Sequence, residues 1–439
     1  MTVIIGFILS FIILIYGVLN GIYIGYGLLL SLLIFSIISY KMGNSFKKTI
    51  DTAWFGGKRA FVVLRIFLLI GLVTASWLAA GTIPAIVYYS MQIMNPKFYI
   101  LFAFLSSSLV SYMLGTSFGT ASTIGVVLII MAKGGDVNLN LAAGAIISGC
   151  YFGDRTSPMS SCANLLSNQT ETELYPMLKG LRRTTIIPFI IVTIIYLLLS
   201  LSNPLTIAGN DILINIQENY TINIIVLLPA LIMLVLSTLQ YSVRKSMVIS
   251  ILVGIAISVG IQGVSVVELI KALIIGYKLE PGNPLVSLLK GGGLFSMLKA
   301  GLVVFISCSM AGILEGMNLF YKASLLFKKY NNRSQLFVST AITSFVSASF
   351  GGNQSIAVVM TSQIMKSVYN EKKIDKYNLA NDISNTAVLF APMIPWNIAN
   401  LLPSTTLDVS PVGFVPYAFY LFIPFIVNYF NIKIGRSNH

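Results

Sequence analysis

The chain has 439 residues, of which 56% are hydrophobic and only 10% are charged, and its mean hydropathy is +0.86. Because soluble domains carry about 25% charged residues, this composition excludes a soluble enzyme and indicates a surface that faces hydrocarbon. The net charge of +14 does not indicate nucleic-acid binding, since Lys and Arg lie in short gaps between apolar runs and form no continuous stripe. The three cysteines and the single histidine show no metal-ligand spacing.

The apolar runs predict an all-α polytopic membrane protein with about ten transmembrane helices and two re-entrant hairpins in an inverted repeat. Residues 1–60 are expected to form a helical hairpin and a cytoplasmic loop. Residues 61–202 are expected to form the first half of the repeat, residues 203–293 connecting spans, and residues 294–439 the second half. The basic gaps place both termini in the cytoplasm of a multi-pass protein of the inner or plasma membrane.

In the first half, one span is broken near Gly81 and another breaks at Gly153–Pro158. Between them, two apolar arms (about 98–114 and 118–132) meet at a Gly-rich segment, and both open ends carry a lysine. Each arm is short for a crossing, so we expect a hairpin that enters from outside.

The second half is predicted to repeat this plan in the opposite orientation. Arms at about 334–350 and 353–366 meet at Gly351–Gly352, and both open ends are basic, including the cluster Lys322–Arg333. Spans at about 378–400 and 411–430 end the chain. Two short echoes support the repeat: Ser-Phe-Gly at 117–119 and 349–351, and Ala-Asn-Leu-Leu at 163–166 and 399–402.

Four polar, Gly-rich interruptions fall inside the apolar spans, at 115–123, 151–166, 347–355 and 384–397. Irregular backbone at membrane depth is tolerated only where it lines protein or a wet cavity, and such breaks form transporter sites. Hydroxyl, amide and carbonyl oxygens suit Na⁺; the alternative is that small residues simply pack helices together. The predicted ion- or substrate-binding residues are Asp154, Thr116, Ser117, Thr120, Ser157, Asn164, Asn353, Gln354, Ser355, Ser384, Asn385, Thr386 and Asn397, with Asp154 and Asn353 as Na⁺ ligands.

Asp154 is the sharpest candidate, because an ionised carboxylate at membrane depth costs at least ~2.5–3.5 kcal/mol and by default marks an ion pathway. The competing interpretation is a structural pair with the adjacent Arg155, or a position at the cytoplasmic rim. Asp382 and Glu315 are weaker candidates, since both could lie near cytoplasmic ends.

At these motifs the chain resembles the NhaC-type Na⁺/H⁺ antiporters of the wider ion-transporter superfamily. The resemblance rests on GTIPAIVYY (81–89), GTSFGTAST (115–123), YFGDRTSP (151–158), PMIPWN (392–397) and Gly312–Glu315, and it extends from about residue 60 onward. It implies Na⁺-coupled transport by alternating access, with Asp154 in the ion site. Na⁺ is then the coupling ion, and no cofactor and no enzymatic activity are expected.

The chain departs from the family pattern at its acids. Ser161, Asn353 and the Ser384–Asn385 pair stand where that pattern has carboxylates. Ser384-Asn385-Thr386 also resembles the motif that sodium–carboxylate symporters place around Na⁺ and substrate. Two functions therefore stay open: Na⁺/H⁺ antiport, and Na⁺-driven transport of an amino acid or small organic acid. The expected partners are Na⁺, H⁺ or such an acid and the lipid bilayer, with a homodimer left open and no nucleic acid.

Overall fold

The structure, a computed structural model, is built from α-helices joined by short turns, and it describes residues 2–205, 209–239, 241–280, 283, 285–286, 289–317 and 332–434. Apolar runs in this chain form helices because a helix satisfies every backbone hydrogen bond within one segment. The helices of the N-terminal part are α1 (Thr2–Leu19), α2 (Ile24–Lys41), α3 (Phe46–Ala79), α4 (Thr82–Ile93), α5 (Tyr99–Leu114), α6 (Ser117–Thr120), α7 (Val126–Gly134), α8 (Leu139–Thr156), α9 (Ser161–Thr170) and α10 (Leu174–Ser202).

The remaining helices include the connecting region and the second predicted half. They are α11 (Gly209–Asn219), α12 (Leu228–Thr238), α13 (Val243–Gly260), α14 (Val266–Ile275), α15 (Leu298–Gly316), α16 (Arg333–Gly351), α17 (Gln354–Glu371), α18 (Lys376–Ser384), α19 (Ala387–Phe390), α20 (Ile398–Thr406) and α21 (Ile423–Lys433). A π-turn at Ala121–Gly125 joins α6 to α7. Lys322, Lys328 and Lys329 of the predicted basic cluster lie outside the described residues.

Seven helices of the described part are long and apolar enough to cross a membrane, and eight if the bent pair Leu213–Asn219 and Ile224–Leu236 is one span. The polytopic, all-α class predicted from the sequence is confirmed. Both arms of the first hairpin are among these helices, as Pro96–Leu114 and Ser117–Gly134. The premise that these arms are too short to cross is therefore wrong, and the re-entrant course stays a prediction that depends on the basic residues at their open ends.

The predicted breaks appear where the sequence places them. Helix α3 ends before Gly81, which has a φ of +71° and acts as the N-cap of α4. Helix α8 ends at Thr156, and an extended turn of four residues leads to α9. Pro158 lies in this turn, and the chain enters α9 through Ser160, whose side chain accepts hydrogen bonds from the N–H groups of Cys162 and Ala163.

Two glycines in the left-handed region form the tips of the two hairpins. Gly115 (φ +64°) separates α5 from α6, and Gly352 (φ +74°) separates α16 from α17. In each case the next residue is an extended N-cap: Thr116 accepts from Gly119 N, and Asn353 accepts from Ile356 N at 2.7 Å. Left-handed backbone is costly for residues with a Cβ, so glycine is the residue that lets each chain reverse here.

The two sequence echoes behave differently in the fold. Ala-Asn-Leu-Leu occupies the first turns of α9 and of α20, the two helices that follow the interruptions at 157–160 and 391–397. Ser-Phe-Gly follows the tip glycine in the first hairpin, whereas it precedes the tip glycine in the second. Of the two echoes, only Ala-Asn-Leu-Leu therefore occupies comparable positions in the two halves.

The last predicted span, about 411–430, is not one continuous helix. Two 3₁₀ turns, Val415–Tyr417 and Phe419–Leu421, precede α21, which begins at Ile423. Proline lacks the N–H that a helix interior needs, and Pro411 and Pro416 interrupt this run. The resulting irregular segment packs against α8, where a Cβ at Gly144 would lie 2.6 Å from the carbonyl carbon of Tyr417.

Candidate functional site

Asp154 lies in the last turn of α8, beside the interruption, and only 4% of its surface is exposed. Its two carboxylate oxygens each accept a hydrogen bond from a serine. Ser117, the first residue of α6 behind the tip of the first hairpin, donates to Oδ2 at 3.2 Å, and Ser160 donates to Oδ1 at 3.1 Å. The Asp154 carboxylate therefore joins the first hairpin tip to the N-terminus of α9.

The second hairpin tip reaches the same carboxylate. Gln354, the first residue of α17, is buried, interacts with the Asp154 carboxyl group, and donates its Nε2 to the carbonyl of Val388 at 3.0 Å. One turn earlier on α8, the Tyr151 hydroxyl donates to the carbonyl of Ala399 at 2.6 Å. Both tips and both interrupted segments thus meet around the C-terminal turn of α8.

Arg155, the next residue, belongs to a separate buried network. Its Nε donates to Ser384 Oγ at 2.9 Å, and its Nη2 donates to Asn385 Oδ1 at 2.8 Å. The guanidinium also donates to the Tyr420 hydroxyl at 3.0 Å and to Thr184 Oγ1 at 3.2 Å. These four acceptors are neutral. Arg155 therefore fixes α8 to the end of α18, and it is not the structural pair of Asp154 that the sequence left open.

Five of the predicted site residues form hydrogen bonds mainly with backbone groups in and around the interrupted segments. Thr116, Asn353 and Asn397 are N-caps, of α6, α17 and α20. Ser157 accepts from the N–H of Met159 at 3.2 Å, and Asn164 is exposed and donates to the carbonyl of Ser160 at 2.8 Å. These oxygens and amides hold the interrupted backbone in shape.

The remaining predicted residues lie in three places. Thr120 bonds back to the carbonyl of Thr116 at 2.9 Å within the first hairpin. Thr386 shares a hydrogen bond of 2.9 Å with Ser344, which connects α16 to the segment after α18. Ser355 is exposed and lines a cavity beside the second tip. Of the predicted set, the structure brings Ser117 and Gln354 to Asp154, and Ser384 and Asn385 to Arg155.

Two further acids are held in ion pairs. Asp382 is fully buried, lies 2.7 Å from Arg333 and accepts a hydrogen bond of 2.6 Å from Tyr369. Glu315 is 2.7 Å from Arg59, and both side chains are about one-third exposed.

Sequence reasoning missed three residues that complete the two networks. Ser160 could have been found, because a serine after a proline and before a helical run is an N-cap signal. Thr184 and Tyr420 had no such signal, since they come from α10 and from the C-terminal 3₁₀ turn and approach Arg155 only through the tertiary fold. Within the described part of the chain, no group of three His, Cys, Asp or Glu side chains is arranged to hold a metal ion.

A membrane-embedded helical protein that buries a carboxylate among hydroxyls, at interrupted helices, is a transporter of ions or small solutes by class. The chain belongs to the Na⁺/H⁺ antiporter family, whose sequence model matches residues 149–431, more than half of its length. The matched region contains Asp154, Arg155, the second hairpin and both later interruptions. The resemblance predicted from the motifs is confirmed, and the function of this family is Na⁺/H⁺ antiport.

Relatives extend over most of the chain. The Na⁺/H⁺ antiporter NhaC of Alkalihalophilus pseudofirmus is 27% identical over 88% of this chain and 85% of its own length. The malate-2H⁺/Na⁺-lactate antiporter of Bacillus subtilis is 25% identical over 90% of this chain and 86% of its own length. The arginine/ornithine antiporter ArcD of Halobacterium salinarum is 29% identical over 82% of this chain and 75% of its own length.

Proposed function

We propose that this protein exchanges Na⁺ for H⁺ across a cell membrane by alternating access, and that both cations compete for the carboxylate of Asp154. The observation that carries the proposal is the burial of this acid with one serine donor on each oxygen. Na⁺ would be bound by the carboxylate and by neutral oxygens such as those of Ser117 and Ser160. A proton on Asp154 would neutralise the same negative charge. Na⁺ and H⁺ would therefore compete for one carboxylate, as an antiporter requires.

We also propose that the chain contains two oppositely inserted halves, 61–202 and 294–439, each with a re-entrant hairpin. The local geometry of the tips supports this. Each tip lies against the interrupted segment of its own half: a Cβ at Gly115 would lie 2.5 Å from the carbonyl carbon of Met159, and Ile398 N donates to the carbonyl of Gly352 at 2.9 Å. The N- and C-termini would then both be cytoplasmic, with Na⁺ as the coupling ion.

Purified protein in liposomes that contain a pH-sensitive dye tests the exchange. Imposing a Na⁺ gradient should move protons in the opposite direction, and Asp154→Asn should abolish that movement while the protein still folds and inserts. Asp136→Asn is the matched control, because Asp136 is exposed in a loop with a φ of +52°, which asparagine adopts readily. A parent protein that moves no protons on Na⁺ addition contradicts the proposal, as does an active Asp154→Asn variant.

A second candidate function rests on Arg155. A buried guanidinium whose four partners are neutral would gain a stronger, charge-assisted bond from a carboxylate. By their names, two relatives transport organic or amino acids. Na⁺-driven transport of such an acid would place its carboxylate near Ser384 and Asn385. Uptake of labelled amino acids and dicarboxylates, measured with and without a Na⁺ gradient, separates this function from simple cation exchange.

A further inference from the structure

A cavity of about 610 Å³ with a mixed polar and apolar lining lies beside the tip of the second hairpin. Asn353 and Ser355 line it from the tip, and Gln363 from α17. Arg59 of α3 and Glu315 of α15 line it from the other side. The residue between the two tip residues is Gln354, which interacts with Asp154. The cavity therefore touches the residues on both sides of Gln354 in the sequence.

The charged pair on this cavity is held by a rigid contact between two helices. A Cβ at Gly56 would lie 2.3 Å from the carbonyl oxygen of Cys308, and one at Gly312 would lie 2.3 Å from that of Thr52. Helices α3 and α15 therefore touch backbone to backbone. Arg59 and Glu315 follow these glycines by three residues on each helix, and their 2.7 Å ion pair keeps side-chain exposures of 38% and 31%.

We infer that this cavity, here called the vestibule, is the route by which cations reach Asp154 from the side of the basic loops. The inference rests on the proposed cation exchange. Glu315 would attract cations to the vestibule, and Arg59 would neutralise part of that attraction so that a cation is not trapped before it reaches the tip. Lys47, Lys48 and Lys58 lie near Arg59 in the N-terminal part of α3, and basic residues at the end of a span favour the cytoplasmic side.

Labelling of a single introduced cysteine tests the route. The three native cysteines are buried, so the parent protein gives a low background with a membrane-impermeant maleimide. Ser355→Cys should react in inside-out vesicles and not in right-side-out vesicles. When Na⁺ is present at ten times its dissociation constant, labelling should slow about tenfold, because the bound form blocks the tip. Ser367→Cys is the matched control: it lies exposed on the same helix, one turn beyond Gln363 and outside the lining of the vestibule, and Na⁺ should not affect its labelling.

Two variants of the charged pair in the vestibule test its electrostatic role, because they should shift the Na⁺ concentration for half-maximal exchange in opposite directions. Glu315→Gln leaves Arg59 unpaired and should raise the Na⁺ concentration for half-maximal exchange about threefold, with the maximal rate retained. Arg59→Gln leaves Glu315 unpaired and should lower that concentration. Both effects should fade in high choline chloride, which screens exposed charges. Loss of a merely structural ion pair would move both variants in the same direction.

The outcomes separate the vestibule from the proposed function. An inactive parent protein contradicts the exchange itself. An active parent whose Ser355→Cys variant reacts only from the opposite side, or reacts equally with and without Na⁺, refutes the vestibule and leaves the exchange in place.

Discussion

Asp154 and Arg155 are adjacent in the sequence, yet their side chains belong to two separate buried networks. Asp154 accepts hydrogen bonds from Ser117 and Ser160, whereas Arg155 donates to Ser384 and Asn385 and to two further hydroxyls. Successive residues on a helix point about 100° apart, so the last turn of α8 presents a negative group to one side and a positive group to another. In the proposed exchange, the carboxylate is available to a cation because the guanidinium is bonded to other groups.

Replacing Arg155 by lysine should destabilise the protein although the charge is kept. Lysine has three donors and no planar fork, so it cannot reproduce bonds to four acceptors on three elements. Each buried acceptor left without a donor costs about 1–3 kcal/mol, and a clear fall in the thermal unfolding midpoint in detergent should follow. Arg182→Lys, on an exposed face of α10, is the control and should leave the midpoint unchanged. Equal midpoints for both variants would contradict this role of Arg155.

Much of the site could be predicted because its signals are local. Short stretches of sequence are enough to predict three features: the interruption after Gly153, the glycines at the two hairpin tips and the acid Asp154 within an apolar run. The roles of the surrounding polar residues were harder to separate, since the same oxygens suit a helix N-terminus and a sodium ion. Asn353 and Asn397 are both predicted as ion- or substrate-binding residues, and both cap helices.

The rest depended on tertiary contacts that no local pattern encodes. Arg155 is bonded to Tyr420, 265 residues away, and to Thr184 on α10. The prediction of a single helix at 411–430 did not take into account Pro411 and Pro416, which cannot continue a helix. The 3₁₀ turns observed there place Tyr420 against α8. An apolar run predicts a membrane segment, but prolines within it decide whether that segment is one helix.

Removing the Ser117 hydroxyl should weaken Na⁺ binding and leave the proton site in place. Ser117→Ala deletes one oxygen beside the Asp154 carboxylate. Loss of one hydrogen bond to a charged group costs about 1.5 kcal/mol, which corresponds to a half-saturating Na⁺ concentration about tenfold higher. Ser122→Ala is the control, since the Ser122 hydroxyl donates to the carbonyls of Phe118 and Gly119 one turn earlier in the chain. If the two variants show the same Na⁺ dependence in the dye assay, Ser117 is not a ligand.

Exchange should carry no net charge. Among the 14 acidic residues, those whose side chains are both described and buried are Asp154 and Asp382, and Asp382 is paired with Arg333. One available carboxylate binds either one Na⁺ or one H⁺, so one positive charge moves in each direction. For an exchanger that moves one net charge, 100 mV contributes about 2.3 kcal/mol, equivalent to about a fiftyfold Na⁺ gradient.

A clamped membrane potential measures this stoichiometry. Proteoliposomes held at 0 and at 100 mV with potassium and valinomycin should reach the same Na⁺ gradient at equal imposed pH difference. Empty liposomes with an electroneutral Na⁺/H⁺ ionophore provide the reference. A gradient that follows the imposed potential would require a second carboxylate in the cycle.

Alanine at either hairpin tip should destabilise the protein and separate the tip from its interruption. Gly115 and Gly352 have φ values of +64° and +74°, and left-handed backbone costs a residue with a Cβ about 1–2 kcal/mol. At Gly115 the Cβ would also lie 2.5 Å from the backbone of Met159, which cannot yield as a flexible side chain would.

Gly180→Ala is the matched control, because no atom lies within 4 Å of the point on α10 where the alanine methyl group would stand, and alanine favours a helix by up to about 1 kcal/mol. The unfolding midpoint should fall for both tip variants and hold or rise for Gly180→Ala, and exchange per folded molecule should fall most for Gly115→Ala, whose tip carries Ser117 to the Asp154 carboxylate. Tip variants as stable and active as the control would show that neither glycine is needed to bring the hairpins to the ion site.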